Sequence, residues 1–186
     1  MRLFVAIEIP EDTRAAIVSL LKEFRAVSPQ TRWVRPESMH LTLKFLGETD
    51  LTRLGQVQSA LLAIHSAQPV SIEFRGLGFF PNAKRPRVFW VGIHSSEALA
   101  GIVGEIDQAL HKLGFPLEDR PFTPHLTLAR FNDSFLSAAL QTAVKQKATA
   151  TFGTFTAKEL HLIESQLKSS GAEYTTLQSF PFVAEA

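Results

Sequence analysis

The chain has 186 residues, 45% of them hydrophobic and 20% charged, which suits one soluble domain or two small lobes sharing a core. Its net charge of +1 excludes a general polyanion-attracting field, so any anion recognition has to be local. The absence of cysteine excludes disulfides, thiol catalysis and cysteine-ligated zinc or iron–sulfur centres.

In chain order, the opening "RLFVAIEI" is rich in strand formers and stops at Pro10. Glu8 comes too early, and the apolar run is too short, for a signal peptide. No stretch reaches the roughly 18 apolar residues of a membrane span, so a cytoplasmic protein is expected. Residues 11–27 place Ile17, Leu20, Leu21 and Phe24 at helical spacing. "HLTLKFLG" at 40–47 alternates as a strand and ends at Gly47, and a helix is expected over 51–66. A strand follows at 70–79. "PNAKRPR" at 81–87 is a basic, Pro-containing loop and not a flexible tether. Beyond it the order recurs: strand 87–94, helix 97–113, strand 125–131, helix 135–147, strand 158–166. A last strand is expected at 173–182.

The recurrence has one register. "HLTL" begins at His40 and again at His125, 85 residues later. The same offset lays "RLF" at 2–4 on "RVF" at 87–89 and "RP" at 35–36 on "RP" at 120–121. It also lays Ile17, Val18 and Leu21 on Ile102, Val103 and Ile106. Four separated segments sharing a gapless offset indicate a duplicated β-α-β-α-β unit. One domain over 1–186 is expected, with repeat lobes of about 1–80 and 87–186.

Along a strand, side chains alternate faces. In each "HLTL", the two leucines face the core and His and Thr share the other face. Duplicated units packed about an approximate two-fold axis would bring both His-x-Thr faces to one cleft. Imidazole has an unperturbed pKa of about 6.5, so one ring can accept a proton while the other donates one. Threonine hydroxyls can donate to the oxygens of a tetrahedral anion. That set fits phosphodiester hydrolysis without a metal or other cofactor. A metal reading offers only two ligands and no adjacent carboxylate. A serine-nucleophile reading lacks a G-x-S-x-G turn.

"MHLTLKFLGE" and "RPFTPHLTLAR", with the opening "RLFVAIEIP" and "PRVFWVGI", resemble the 2H phosphoesterase superfamily over nearly the whole chain. The likeness is greatest to the RNA 2′,3′-cyclic phosphodiesterases, also called 2′-5′ RNA ligase-like proteins. The resemblance implies an α+β fold of two pseudo-symmetric lobes, with antiparallel-rich sheets lining a central cleft and helices outside. It implies opening of a terminal ribose 2′,3′-cyclic phosphate to a 2′-phosphate, on RNA 3′ ends or nucleotides, by a monomer. It also implies His40 as proton donor, His125 as proton acceptor, and Thr42, Thr127 and Arg130 as phosphate-binding groups. The donor and acceptor roles come from the family, because the two motifs are too alike to distinguish. A related enzyme acting on other cyclic or 2′-5′ linkages, including reversible ligation, uses the same residues. A non-catalytic RNA-end binding module is a third reading, opposed by the intactness of both motifs.

Strict alternation puts Arg130 on the leucine face, so a bulge or strand end has to turn it inward. Lys44 has cleft parity but its repeat mate is Ala129, and it is expected at the cleft edge or in solvent. Lys84, Arg85 and Arg87 are candidates for RNA backbone contact. Trp33, Phe45 and Phe122 are candidates for stacking a base, with core packing the commoner fate of any phenylalanine here. His65, His94, His111 and His161 match no motif and are expected to be structural or solvent-facing.

Overall fold

The computed structural model describes residues 1–132, 136–169 and 171–182. Its order is β1 (Arg2–Glu8), α1 (Glu11–Val27), β2 (Arg32–Trp33), β3 (His40–Glu48), α2 (Leu54–Leu62), β4 (Val70–Phe80), β5 (Val88–Ser95) and α3 (Glu97–His111). Then come β6 (His125–Arg130), α4 (Ala138–Gln146), β7 (Thr151–Ala157), β8 (Glu159–Lys168) and β9 (Gly171–Pro181). The helix expected over 51–66 divides into a 3₁₀ turn, Leu51–Arg53, and the shorter α2. Part of the expected start of the 135–147 helix lies outside the described residues. In α4, the Ser137 hydroxyl accepts the Leu140 N–H at 3.1 Å and caps the helix. Neither β2 nor β7 was expected. β2 has only two residues, and the small and polar residues of β7 give no strong pattern. Among the described residues no helix is long and apolar enough to cross a membrane.

Two antiparallel sheets form, ordered β3-β1-β8-β9 and β2-β6-β5-β4-β7. The duplication is visible in them: β3, β1 and β8 correspond to β6, β5 and β4, while β9 and β7, both from the second half, take the equivalent outer places beside β8 and β4. Each repeat gives its third strand to the other repeat's sheet. β4, from the first half, pairs with β5, and β8, from the second half, pairs with β1. The helices also cross over, α1 packing with α4 and α2 with α3. α1 buries Ile17, Leu20, Leu21 and Phe24. It lies so close to β7 that a Cβ at Gly153 would stand 2.1 Å from Thr13 Oγ1. One buried cluster joins both sheets and the helices, while Phe4, Ala6 and Ile163 form a small separate cluster on the far face of the first sheet.

Both motif strands carry a β-bulge at the second leucine. Along β1–β3 the pairing passes from Ala6↔Thr42 to Val5↔Lys44, leaving Leu43 over. Along β5–β6 it passes from Trp90↔Thr127 to Phe89↔Ala129, leaving Leu128 over. These are repeat mates. The extra residue reverses the alternation beyond it. Lys44 and Ala129 therefore turn to the core, at 3% and 0% exposure, and Phe45 and Arg130 turn to the His-x-Thr face. This corrects the expectation for Lys44. It is not at the cleft edge: its Nζ donates to Asp107 Oδ1 of α3 at 2.5 Å and to the Pro116 carbonyl at 2.8 Å, with Glu118 at 3.8 Å. An ammonium buried among leucines requires such partners. Asp107→Ala should lower unfolding free energy by about 3 kcal/mol, near the lower end for a broken buried pair because Pro116 and Glu118 remain. Lys44→Met, which removes the buried charge, should cost less. Urea unfolding midpoints measure both.

Candidate active site

β3 is the edge of the first sheet, β6 the second strand of the other, and the two approach with Cα atoms within 8 Å. Both His-x-Thr motifs thus border the line where the sheets meet. Thr42 and Thr127 are half-buried there, and no described residue engages their hydroxyls. The leucines between, Leu41 and Leu126, are buried in the core.

His40 is wrapped by aromatic rings. It stacks on Phe4 at 4.8 Å and 28°, and meets the Tyr174 ring edge-on at 4.8 Å and 78°. Burial is the main reason its pKa falls to about 4, and the Arg14 guanidinium lowers it further. Arg14 is fixed beside it by donating to the carbonyls of Pro36 and Ile9. Glu8 acts in the opposite direction. It is the direct cross-strand partner of His40, and Thr176 Oγ1 holds its carboxylate at 3.2 Å. His161 lies behind, buried, its Nδ1 3.0 Å from Ser179 Oγ and 3.9 Å from Glu8, its Nε2 3.7 Å from Glu159.

His125 is set differently. Its Nδ1 lies 2.9 Å from the Thr123 carbonyl oxygen. A carbonyl can only accept, so Nδ1 carries the hydrogen and the neutral ring keeps its lone pair on Nε2. Phe80 meets the ring edge-on at 5.0 Å. Below it the Trp90 indole lies flat on the sheet. A Cβ at Gly78 would fall 2.2 Å from that indole, so only glycine admits it. Trp90 Nε1 is buried and has no partner among the described residues.

The bulge at Leu128 puts Arg130 on the motif face at the far end of β6. There it lines a concavity of about 450 Å³ with Arg32, Arg87 and Trp33. Of the stacking candidates, Trp33 packs on Phe24 and Phe89 and donates Nε1 to the Ser28 carbonyl, and Phe122 lies against the core. Phe45 is 68% exposed. Lys84 and Arg85 are exposed in a turn whose backbone N–H groups donate to Asn82 Oδ1. His65, His94 and His111 are exposed.

A family model described as LigT like Phosphoesterase matches residues 7–90 and, a second time, 91–174. The chain belongs to the LigT-like phosphoesterase family. It is 34% identical to the RNA 2′,3′-cyclic phosphodiesterase of Methanocaldococcus jannaschii, over 97% of this chain and 100% of that protein. It is 33% identical to the RNA 2′,3′-cyclic phosphodiesterase of Archaeoglobus fulgidus, over 97% and 99%. The crystal structure of TT0787 of Thermus thermophilus superposes with a TM-score of 0.80 at 31% identity, covering 98% of each chain. The α+β fold of duplicated, antiparallel sheets is that of the LigT-like family.

Sequence reasoning passed over Glu8, Trp90 and Tyr174 at this candidate site, and His161, expected to be structural or solvent-facing, is buried beside them. None has a repeat mate of its own kind, so the duplication that exposed the motifs is silent on them. Strand pairing is the signal that finds Glu8, since β1 must lie against β3 with its last residue opposite His40. The electrostatics give a direct test. Removing the Glu8 charge takes away the influence that raises the His40 pKa, so Glu8→Gln should move it below about 4 and Glu8→Asp should largely restore it. NMR titration of the His40 ring reads both. An unchanged His40 titration in Glu8→Gln would remove Glu8 from the site.

Proposed function

We propose that this protein hydrolyses terminal 2′,3′-cyclic phosphate on RNA to a 2′-phosphomonoester, with two histidines as acid and base and no metal. The observation that carries the reading is the bulged His-x-Thr strand, present once in each sheet on β3 and β6, which approach each other. The names of the relatives from Methanocaldococcus and Archaeoglobus support the same activity. His125 Nε2, free because Nδ1 is held by Thr123, takes a proton from water. The water oxygen bonds to phosphorus, the bond from phosphorus to O3′ breaks, and His40 delivers a proton to O3′. Phosphorus stays bonded to O2′. Thr42, Thr127 and Arg130 donate to the phosphate oxygens as their charge grows.

In the free protein His40 is neutral at pH 7, with a pKa of about 4. A donor has to be protonated, so the bound phosphate anion and Glu8 together must raise it. The alkaline limb of kcat should therefore lie at higher pH than that of kcat/KM, since kcat reports the complex and kcat/KM the free enzyme. The lowered pKa favours one other reading, in which His40 is the base and His125 the acid. The His125 tautomer and the carboxylate beside His40 support the assignment adopted. Single replacements separate the two: His125→Ala should remove the acidic limb and His40→Ala the alkaline limb, each slowing turnover by at least ~10²-fold. Exchanged limbs would reverse the roles, and near-full activity in either variant would end the mechanism.

Metal independence is tested with excess chelator on a cyclic-phosphate oligonucleotide. Full activity is expected. Loss that only a divalent ion restores would replace the two-histidine mechanism with a metal-assisted one. Identifying the product in the same assay separates hydrolysis from formation of a 2′-5′ linkage.

A further inference from the structure

The motif face of the second sheet continues beyond Thr127 to a cluster of three arginines. Arg32 on β2 and Val88 on β5 are both direct cross-strand partners of Arg130 on β6. Arg87 precedes Val88, and its Nη1 donates to the Asn132 carbonyl at 2.5 Å. The three arginines ring one open concavity of about 450 Å³, with Val34, Val88 and Phe131 among its walls. All three are exposed, and among the described residues no carboxylate pairs with Arg32, Arg87 or Arg130. Three permanent positive charges gathered in a chain of net charge +1 repel one another unless an anion lies between them.

We infer that this arginine groove is a second phosphate subsite, which holds the phosphodiester backbone of single-stranded RNA upstream of the reacting 3′ end. The inference rests on the cyclic-phosphodiesterase reading for the identity of the chain that enters it. β6 carries His125 at one end and Arg130 at the other. Arg130 serves the reacting phosphate, and Arg32 and Arg87, on the chain segments that flank it on either side, are left for the preceding nucleotides. Phosphodiesters keep their charge at any pH the protein withstands, and guanidinium forks match their paired oxygens. Such contacts position a strand without reading its sequence, so discrimination between an oligonucleotide and a mononucleotide is expected without base preference at this point. The Leu128 bulge is what makes the groove continuous with the site, because unbroken alternation would turn Arg130 to the other face.

The test compares a short RNA ending in 2′,3′-cyclic phosphate with a cyclic mononucleotide, in wild type, Arg32→Ala, Arg87→Ala and the double variant. The double variant should lose roughly tenfold or more in kcat/KM for the oligonucleotide, through KM, and should process the mononucleotide as wild type does. The Arg32 side chain makes no hydrogen bond or ion pair among the described residues, so its single variant reports the groove with the fold undisturbed. A 3′-hydroxyl RNA of the same length, followed by fluorescence anisotropy, gives binding without chemistry. Its affinity should fall in the double variant, and the slope of log K against log salt should shrink by roughly 0.7 per charge removed. An oligonucleotide constant unchanged by the double replacement overturns the groove, as does equal loss on both substrates or wild-type binding of the 3′-hydroxyl RNA that the double variant retains in full. Failure of wild type to open either cyclic phosphate would instead overturn the proposed activity, and the anisotropy would still decide the groove.

Discussion

Each motif strand carries, just past its threonine, a leucine that its neighbour does not pair, and most of what is particular to this molecule depends on it. A strand with unbroken alternation would send every second side chain from His40 or His125 onward to the same face. The unpaired leucine resets that pattern after the threonine. On β6 the reset brings a guanidinium to the face of the imidazole and hydroxyl. On β3 it brings a phenylalanine there and drives a lysine into the core. One backbone irregularity, copied by duplication, thus has opposite chemical outcomes in the two halves. A charged side chain gains a polar face in one, while in the other it needs the carboxylate of Asp107 and the carbonyl of Pro116 to be tolerated.

The two halves have diverged most in what surrounds the histidines. His40 is enclosed by Phe4 and Tyr174 and lies between the opposing influences of Arg14 and Glu8. His125 has its tautomer set by a backbone carbonyl and an aromatic edge beside it. The identical tetrapeptides therefore acquire different surroundings and different hydrogen-bonding needs from neighbours on β1, β9 and β4. An acid and a base require such asymmetry.

The repeat offset, the motif strands and the apolar stripes of the long helices were legible because they follow simple periods. α1 and β4 lie where that periodicity placed them, within a residue or so. The two-residue β2 and the polar β7 had no period to read, and both exist because neighbouring strands offer unpaired backbone. Lys44 was misplaced for a related reason. Parity counting assumes that every residue of a strand has a partner, and Leu43 has none. The need for a bulge or a strand end before Arg130 followed from parity together with the role that the family resemblance implies for it, whereas the recurrence of the bulge in β3 was not readable. Glu8 reaches the first motif through the pairing of β1 with β3, whereas Tyr174 and His161 reach it through pairing across the two halves, which a one-dimensional pattern does not contain.

That pairing also has a consequence for how the chain reaches its fold. β1 lies between β3 and β8, so its register on one side is closed by residues about as far away as the sequence allows. A chain emerging from the ribosome can form the β1–β3 pair early, but the floor beneath His40 stays open until β8 and β9 have been made. Loop closure over such separations is slow, and contacts of this kind dominate the folding time of sheet proteins. Half of the duplicated unit, expressed alone, would present an unpaired strand edge where its third strand belongs to the other half. The exchange of strands between the two repeats ties the fate of each repeat to the synthesis of the other.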